Sequence, residues 1–152
     1  MNLTEKTDHQ ELLARAMLKM FSDRRRGFGN LQGKGNAHTA ESAETTSLCT
    51  LDNEGNAVCL TYSNNNHSGV VIPGTGILMN NQMALFSPWP NNPNEVSRGK
   101  RPVSSMMPSI ILKNNSVKLV LGASGSTRIP TSLMQVLYRF FLQNKSLTDA
   151  II

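Results

Sequence analysis

Three short stretches of the chain carry residue types suited to acyl chemistry. Glu44-Thr45-Thr46 puts a threonine pair where a Gly-, Asn- and Ser-rich segment gives way to a strand-like run. Ser104-Ser105 lies within RGKRPVSSMMPS, and Gly122-Ala123-Ser124-Gly125-Ser126 lies between an apolar strand and an apolar helix. Each also has a plain structural reading. A threonine pair suits a strand, Ser-Ser suits a turn, and a Gly-rich corner lets a strand and a helix pack closely. The third stretch is not a P-loop, because GxxxxGK[ST] is absent and Arg128 does not replace its lysine. No Ser/His/Asp set is evident. His67 stands beside Asn64, Asn65 and Asn66 and reads as a hydrogen-bonded loop histidine, and Asp52 falls in a turn, where Asp serves its own backbone. An enzyme built from these residues needs another base. A threonine at a new chain end carries one in its own α-amino group. That chemistry requires a cut directly before the threonine, and a flexible leader ending at a strand is a fitting place for it.

The elements that would position these residues follow from periodicity. Residues 8–23 read as an amphipathic helix with Leu12, Leu13, Ala16, Met17 and Met20 on one stripe, Asp8 as its cap and Glu11 as capping-box partner. Residues 24–44 lose periodicity and read as a flexible linker. TSLCTL, DNEGN and AVCLTYS read as strand, turn and strand. A turn centred on Glu54 sets Cys49 opposite Cys59. Buried free thiols are the ordinary outcome there, and a cross-strand disulfide is the alternative. Pro73-Gly74-Thr75-Gly76 forces a turn between apolar runs, and Pro88, Pro90, Pro93 and Pro102 keep residues 87–102 out of a sheet interior. Residues 109–121 form a second hairpin around Asn114-Asn115. Residues 131–144 form a closing helix with Leu133, Val136, Leu137 and Phe140 on one side. Antiparallel hairpins flanked by helices make an α+β chain.

Composition excludes several classes. The 152 residues are 39% hydrophobic and only 16% charged, against about 25% charged in an ordinary domain. No run approaches the 18 or so apolar residues of a membrane span. The N-terminus, MNLTEKTDHQE, is no secretory signal, which leaves the chain cytoplasmic as it stands. His9, His38 and His67 show no metal spacing, and two cysteines make neither a disulfide framework nor a Cys-rich zinc site. Neither a metal nor a cofactor is expected. Residues 1–44 hold seven basic and six acidic side chains, and residues 45–152 hold eight and four. The net +5 is therefore a mildly basic surface, and nucleic acid is not an expected partner. Arg24–Arg26 with Phe28 is the one basic run with an aromatic. A cationic helix C-terminus accounts for it.

Four blocks occur in order between Thr45 and Ile129: TTSLCTLDNEGNAVCLTYS, PGTGILMNNQMALFS, GKRPVSSMMPSIIL and LVLGASGSTRI. Together they resemble the catalytic small subunit of the gamma-glutamyltranspeptidase (glutathione hydrolase) family. The resemblance implies part of an N-terminal-nucleophile hydrolase αββα sandwich. It also implies a proenzyme that cuts itself before a threonine, which then attacks the γ-glutamyl amide of glutathione and related small molecules. The acyl group passes to water or to an acceptor amine. On this resemblance the cut falls at Glu44-Thr45 and Thr45 is the nucleophile. Ser63 stands where the family has a threonine bonded to the nucleophile. Asn65 aligns with a substrate-binding asparagine, with Asn64 and Asn66 as alternatives, and Gln82 aligns with a substrate contact. Ser104 and Ser105 match the pair that holds the substrate α-carboxylate. Gly125 and Ser126 match the backbone donors of the oxyanion hole, where the family usually has two glycines.

Other positions depart from the family. Leu85 stands where an aspartate receives the substrate amino group, in QMALF rather than QMDDF. The large-subunit core and its carboxylate-binding arginine have no counterpart, and the closing strands are missing. The chain thus reads as a truncated member. Residues 1–44 form a large-subunit-like helix and linker, and residues 45–152 form the small-subunit-like catalytic region, incomplete at its C-terminus. Half a sandwich leaves apolar faces bare, which favours association with a large-subunit-like chain or self-association. Two functional readings result: a self-cleaving γ-glutamyl amidohydrolase, or an inactive family member or subunit that needs such a partner.

Overall fold

The computed structural model describes residues 3–28 and 44–152, with side chains over 9–24 and 44–152. Helix α1 (Leu3–Phe28) runs beyond both ends of the apolar stripe. Asp8 therefore lies inside the helix and does not cap it. The less exposed face carries Leu13, Ala16, Met17, Met20, Phe21 and Arg24, at the spacing of one helix side. Leu12 is off that face and 58% exposed. Arg15 with Glu11 and Lys19 with Asp23 form exposed ion pairs one turn apart. Residues 24–28 of the expected linker are helical, and residues 29–43 of it lie outside the described residues.

Strands β1 (Thr45–Leu51) and β2 (Ala57–Ser63) form the first antiparallel hairpin. Thr45 is opposite Ser63, and Cys49 is opposite Cys59. The turn is built by Asp52. Its backbone N–H donates to Asn56 O at 3.1 Å, and its carbonyl accepts from Gly55 N–H at 3.2 Å. Its carboxylate accepts from the Glu54 N–H, the Asn56 N–H and the Asn56 side-chain amide. Gly55, at φ 88°, adopts the left-handed conformation this turn demands. One face of the hairpin carries Leu48, Val58, Leu60 and Tyr62, each more than half exposed. The other face carries Thr45, Ser47, Cys49, Cys59, Thr61 and Ser63. The two thiols are free, as expected, but not buried: Cys49 is exposed and Cys59 half-buried.

Past β2 the chain turns at Pro73–Gly76, with Ile72 N–H bonded to Ile77 O and Val71 bridging Leu78. A 3-10 turn over Gln82–Leu85 follows. The Pro-rich loop is held by Asn94, which is 1% exposed. Its side-chain amide donates to Leu85 O at 2.7 Å, and its side-chain oxygen accepts from Val103 N–H at 3.2 Å. One buried asparagine thus ties both ends of the loop, its polar atoms satisfied as burial requires.

Strands β3 (Ser109–Lys113) and β4 (Ser116–Leu121) make the second hairpin, with Asn114 and Asn115 at φ 52° and 60°. Two successive left-handed residues are the turn that matches strand twist. The two hairpins form separate two-stranded sheets. Their junction is steric: a Cβ added to Gly122 would land on the Ser47 hydroxyl and lie 3.5 Å from Cys59 Sγ. Cys59 Sγ also donates to Leu121 O at 3.1 Å. Helix α2 (Ile129–Phe141) starts two residues earlier than its pattern suggests, because Pro130 fits a helix's first turn. It buries Ile129, Pro130, Leu133 and Tyr138, and helix α3 (Leu147–Ile151) adds Ala150. Val136, Leu137 and Phe140 are half-buried. The outcome is the expected α+β arrangement.

Gly122→Ala should destabilise the chain by about 2 kcal/mol in denaturant unfolding, through overpacking. Ser47→Ala in the same chain should recover part of that loss, since it removes the atom in conflict. The Asp52 carboxyl is held below its usual pKa by the Asn56 side chain, then by backbone N–H groups. Its support of the turn is full above the unfolded value of about 3.9 and is lost as pH falls through the folded value. The Glu54 and Asn56 amide NMR shifts should titrate together in that acid range, and Asp52→Asn should abolish the titration.

Candidate active site

Thr45 opens β1, immediately after Glu44. Its Oγ1 donates to Ser63 Oγ at 3.0 Å, across the first rung of the β1–β2 ladder. The hydroxyls meet because the register sets Thr45 opposite Ser63 on one face. Ser63 then serves as a hub. Its Oγ accepts from Asn65 N–H at 3.0 Å, and its carbonyl accepts from the Gln82 side-chain amide at 2.8 Å. Asn65, at φ 59°, donates its side-chain amide to Asn81 O at 3.1 Å. Left-handed geometry suits asparagine better than most residues. Asn64 instead accepts from Tyr62 Oη, while its carbonyl accepts from Asn81 N–H. Thr45, Ser63, Asn65 and Gln82 therefore form one connected cluster, although 37 positions separate its ends in sequence.

Glu44 is also restrained. His67 Nδ1 accepts from Gly69 N–H at 3.1 Å, so a neutral ring carries its proton on Nε2. Nε2 lies 3.4 Å from Glu44 Oε1. The peptide between Glu44 and Thr45 is thus flanked by a side-chain contact on each side. The loop-histidine reading holds, and the partner of that histidine is the finding that sequence spacing did not reveal.

The remaining candidates sit on two other segments. Ser104 Oγ accepts from Met106 N–H in a local turn. Ser105 Oγ accepts from Arg24 Nη1 of α1 at 2.9 Å. Burial holds the Arg24 guanidinium below its usual pKa, and its Nε is enclosed with no hydrogen-bond partner among the described residues. Gly125 and Ser126 follow the Gly122 junction at φ 122° and 53°. Ser126 adopts a left-handed conformation that glycine accepts at lower cost. Neither Thr45 nor Ser63 is hydrogen-bonded to Ser104, Ser105, Gly125 or Ser126 among the described residues. Gly122, however, packs on Ser47, which shares its face of β1 with Thr45. Leu85 lies in the 3-10 turn that starts at Gln82, and its carbonyl is clipped by Asn94. Sequence reasoning missed Arg24, Asn81 and Asn94 as positioning groups. Arg24 continues the buried helix face at the i, i+3/i+4 spacing, which was the available signal.

Among the described residues no group of three or more His, Cys, Asp and Glu is placed to hold a metal ion. No helix among them is long and apolar enough to cross a membrane.

Residues 3–152 match the family model described as gamma-glutamyltranspeptidase. The chain is 41% identical over 108 residues to the glutathione hydrolase proenzyme of Escherichia coli K12, covering 63% of this chain and 19% of that protein. It is 34% identical over 146 residues to the acylase ACY 1 proenzyme of Pseudomonas sp. SE83, covering 91% of this chain and 26% of that protein. These curated relatives are thus several times longer than the matched region. Among solved structures, it superposes on the gamma-glutamyltranspeptidase of Pseudomonas nitroreducens complexed with L-DON. The TM-score is 0.66 at 39% identity, covering 69% of this chain and 61% of that one. The α+β arrangement of its hairpins and helices is accordingly part of the N-terminal-nucleophile hydrolase fold. With the whole described chain inside the family match, this protein belongs to the gamma-glutamyltranspeptidase family.

Proposed function

We propose that the chain is a self-cleaving amidohydrolase of γ-glutamyl-type amides, with Thr45 as nucleophile. The observation that carries this reading is the Thr45 Oγ1–Ser63 Oγ bond of 3.0 Å, made directly after Glu44. In the first reaction Thr45 Oγ1 attacks the Glu44 carbonyl carbon. The C–N bond breaks, an ester forms and the α-amine of Thr45 is released. Water then hydrolyses the ester and frees the Glu44 carboxyl group. The new amine next serves as base for the same hydroxyl. Ser63 fixes the rotamer of that hydroxyl, and His67 steadies the Glu44 side chain during the cut.

In the second reaction the freed threonine attacks the substrate amide and expels its amine. The acyl group then passes to water or to an acceptor amine. Gly125 and Ser126 N–H groups would stabilise the oxyanion of the tetrahedral intermediate. Asn65 and Gln82 would face the substrate, and Ser104 and Ser105 would hold its carboxylate. Leu85 offers no charge to a substrate ammonium, so the α-amino group is weakly selected. Glutathione and other γ-glutamyl amides are the first substrates to test, beside the glutaryl amide that lacks the amino group.

A second reading has its own observation. Leu48, Val58, Leu60 and Tyr62 form an exposed apolar face on the β1–β2 hairpin. Such a face favours a large-subunit-like partner or a second copy of the chain. In that reading the chain is a subunit and turns over nothing alone.

Intact-mass measurement after incubation separates the two. Wild type should yield residues 1–44 and 45–152 as separate masses, and Thr45→Ala should stay whole. Ser63→Ala should slow the cut by about tenfold, the value of one oriented hydrogen bond. A wild-type chain that stays whole would favour the subunit reading. If cutting occurs, rates on γ-glutamyl and glutaryl anilides should agree within about tenfold, since Leu85 supplies no ammonium contact.

A further inference from the structure

The inner face of the β1–β2 hairpin is a ladder of paired heteroatoms. Thr45 meets Ser63 at 3.0 Å, Ser47 Oγ meets Thr61 Oγ1 at 3.2 Å, and Cys49 Sγ meets Cys59 Sγ at 3.4 Å. The hairpin closes with Asp52 N–H on Asn56 O. Counting back in the two-residue alternation of an antiparallel ladder, Cys49 and Cys59 occupy a non-hydrogen-bonded pair. There Cα atoms approach to about 4.5 Å and side chains are closest. A disulfide spans Cα separations of about 4.4–6.8 Å and needs its sulfurs about 2.05 Å apart. Side-chain rotation closes the remaining gap without strand movement.

The two thiols differ in access and in role. Cys49 is exposed, and Cys59 is half-buried. Cys59 spends its single proton on Leu121 O at 3.1 Å, so Cys49 is the donor in the thiol–thiol contact. Leu121 ends β4, and the next residue is the Gly122 that packs on Ser47 and Cys59. The Cys59 proton is therefore the hydrogen bond that ties β2 to the end of β4.

We propose that Cys49 and Cys59 are an oxidisable pair that closes to an intramolecular disulfide by exchange with a low-molecular-weight disulfide, releasing the tie between β2 and β4. The exposed Cys49 attacks first, as thiolate, on one sulfur of the small disulfide. One small thiolate leaves and takes a proton. Cys59, as thiolate, then attacks the Cys49 sulfur and expels the second small thiolate. The protein loses two electrons and two protons, and the small disulfide becomes two thiols. Neither sulfur then carries hydrogen, so Leu121 O loses its donor. The pair uses no residue of the acyl chemistry, and the inference stands apart from the proposed activity.

The test treats the full chain with excess 2-hydroxyethyl disulfide, quenches with acid and reads intact mass and alkylatable thiols. The mass should fall by two hydrogens, with both thiols lost. Native geometry should make ring closure at least about tenfold faster than in denaturant, because the sulfurs are already juxtaposed. Cys59→Ser should stop at one mercaptoethanol adduct. A lasting adduct on wild type, a disulfide-linked dimer, or equal closure rates in the native and denatured chain would overturn the pairing. In the oxidised chain the Leu121 carbonyl carbon and Gly122 amide nitrogen NMR shifts should move upfield, because the carbonyl loses its Cys59 donor. Unchanged shifts at both would overturn the release of β4.

Discussion

The structure depends on one close approach, that of the Gly122 backbone to Ser47. The two hairpins share no ladder of hydrogen bonds. What docks them is a glycine that admits the Ser47 side chain, with one thiol-to-carbonyl bond beside it. The Gly125–Ser126 turn and helix α2 hang from the docked end of β4. The Thr45 hydroxyl stands on the same face of β1 that Gly122 touches. A methyl group at residue 122 would push apart the two segments that the proposed acyl chemistry requires side by side.

The candidate site is built from neutral groups. Thr45, Ser63, Asn65 and Gln82 are linked through hydroxyls, amides and carbonyls. Orientation is therefore the main resource of the unprocessed chain, and charge enters at its margins. Glu44, next to Thr45, meets His67, and on a separate segment Arg24 meets Ser105. Leu85 sets the opposite tone nearby, with an apolar side chain in the turn that begins at Gln82.

Much of this was legible from residue order. The strands around DNEGN and NN were fixed by alternation and turn chemistry, and their registers agree with the expected pairing of Cys49 with Cys59. The four small-subunit blocks contain Thr45, Ser63, Gln82, Ser104, Ser105, Gly125 and Ser126. What escaped the sequence were contacts between distant segments. Nothing in the spacing of His67 announces Glu44, and nothing near Asn94 announces both Leu85 and Val103. Leu12 shares the apolar pattern but stands exposed, because apolar character alone does not fix helix phase, which is set by what the helix packs on. Burial is the ordinary state of a free cysteine, which behaves as a small apolar side chain. Here Cys49 is exposed and Cys59 is half-buried.

N-terminal sequencing of wild type and Gly122→Ala after the same incubation asks whether docking β4 on β1 makes the Thr45 hydroxyl competent. A new Thr-Thr-Ser terminus is expected from wild type, and little or none from Gly122→Ala under conditions where that variant remains folded. A new terminus forming at equal rates in both chains, or only the Met1 terminus in wild type, would contradict it.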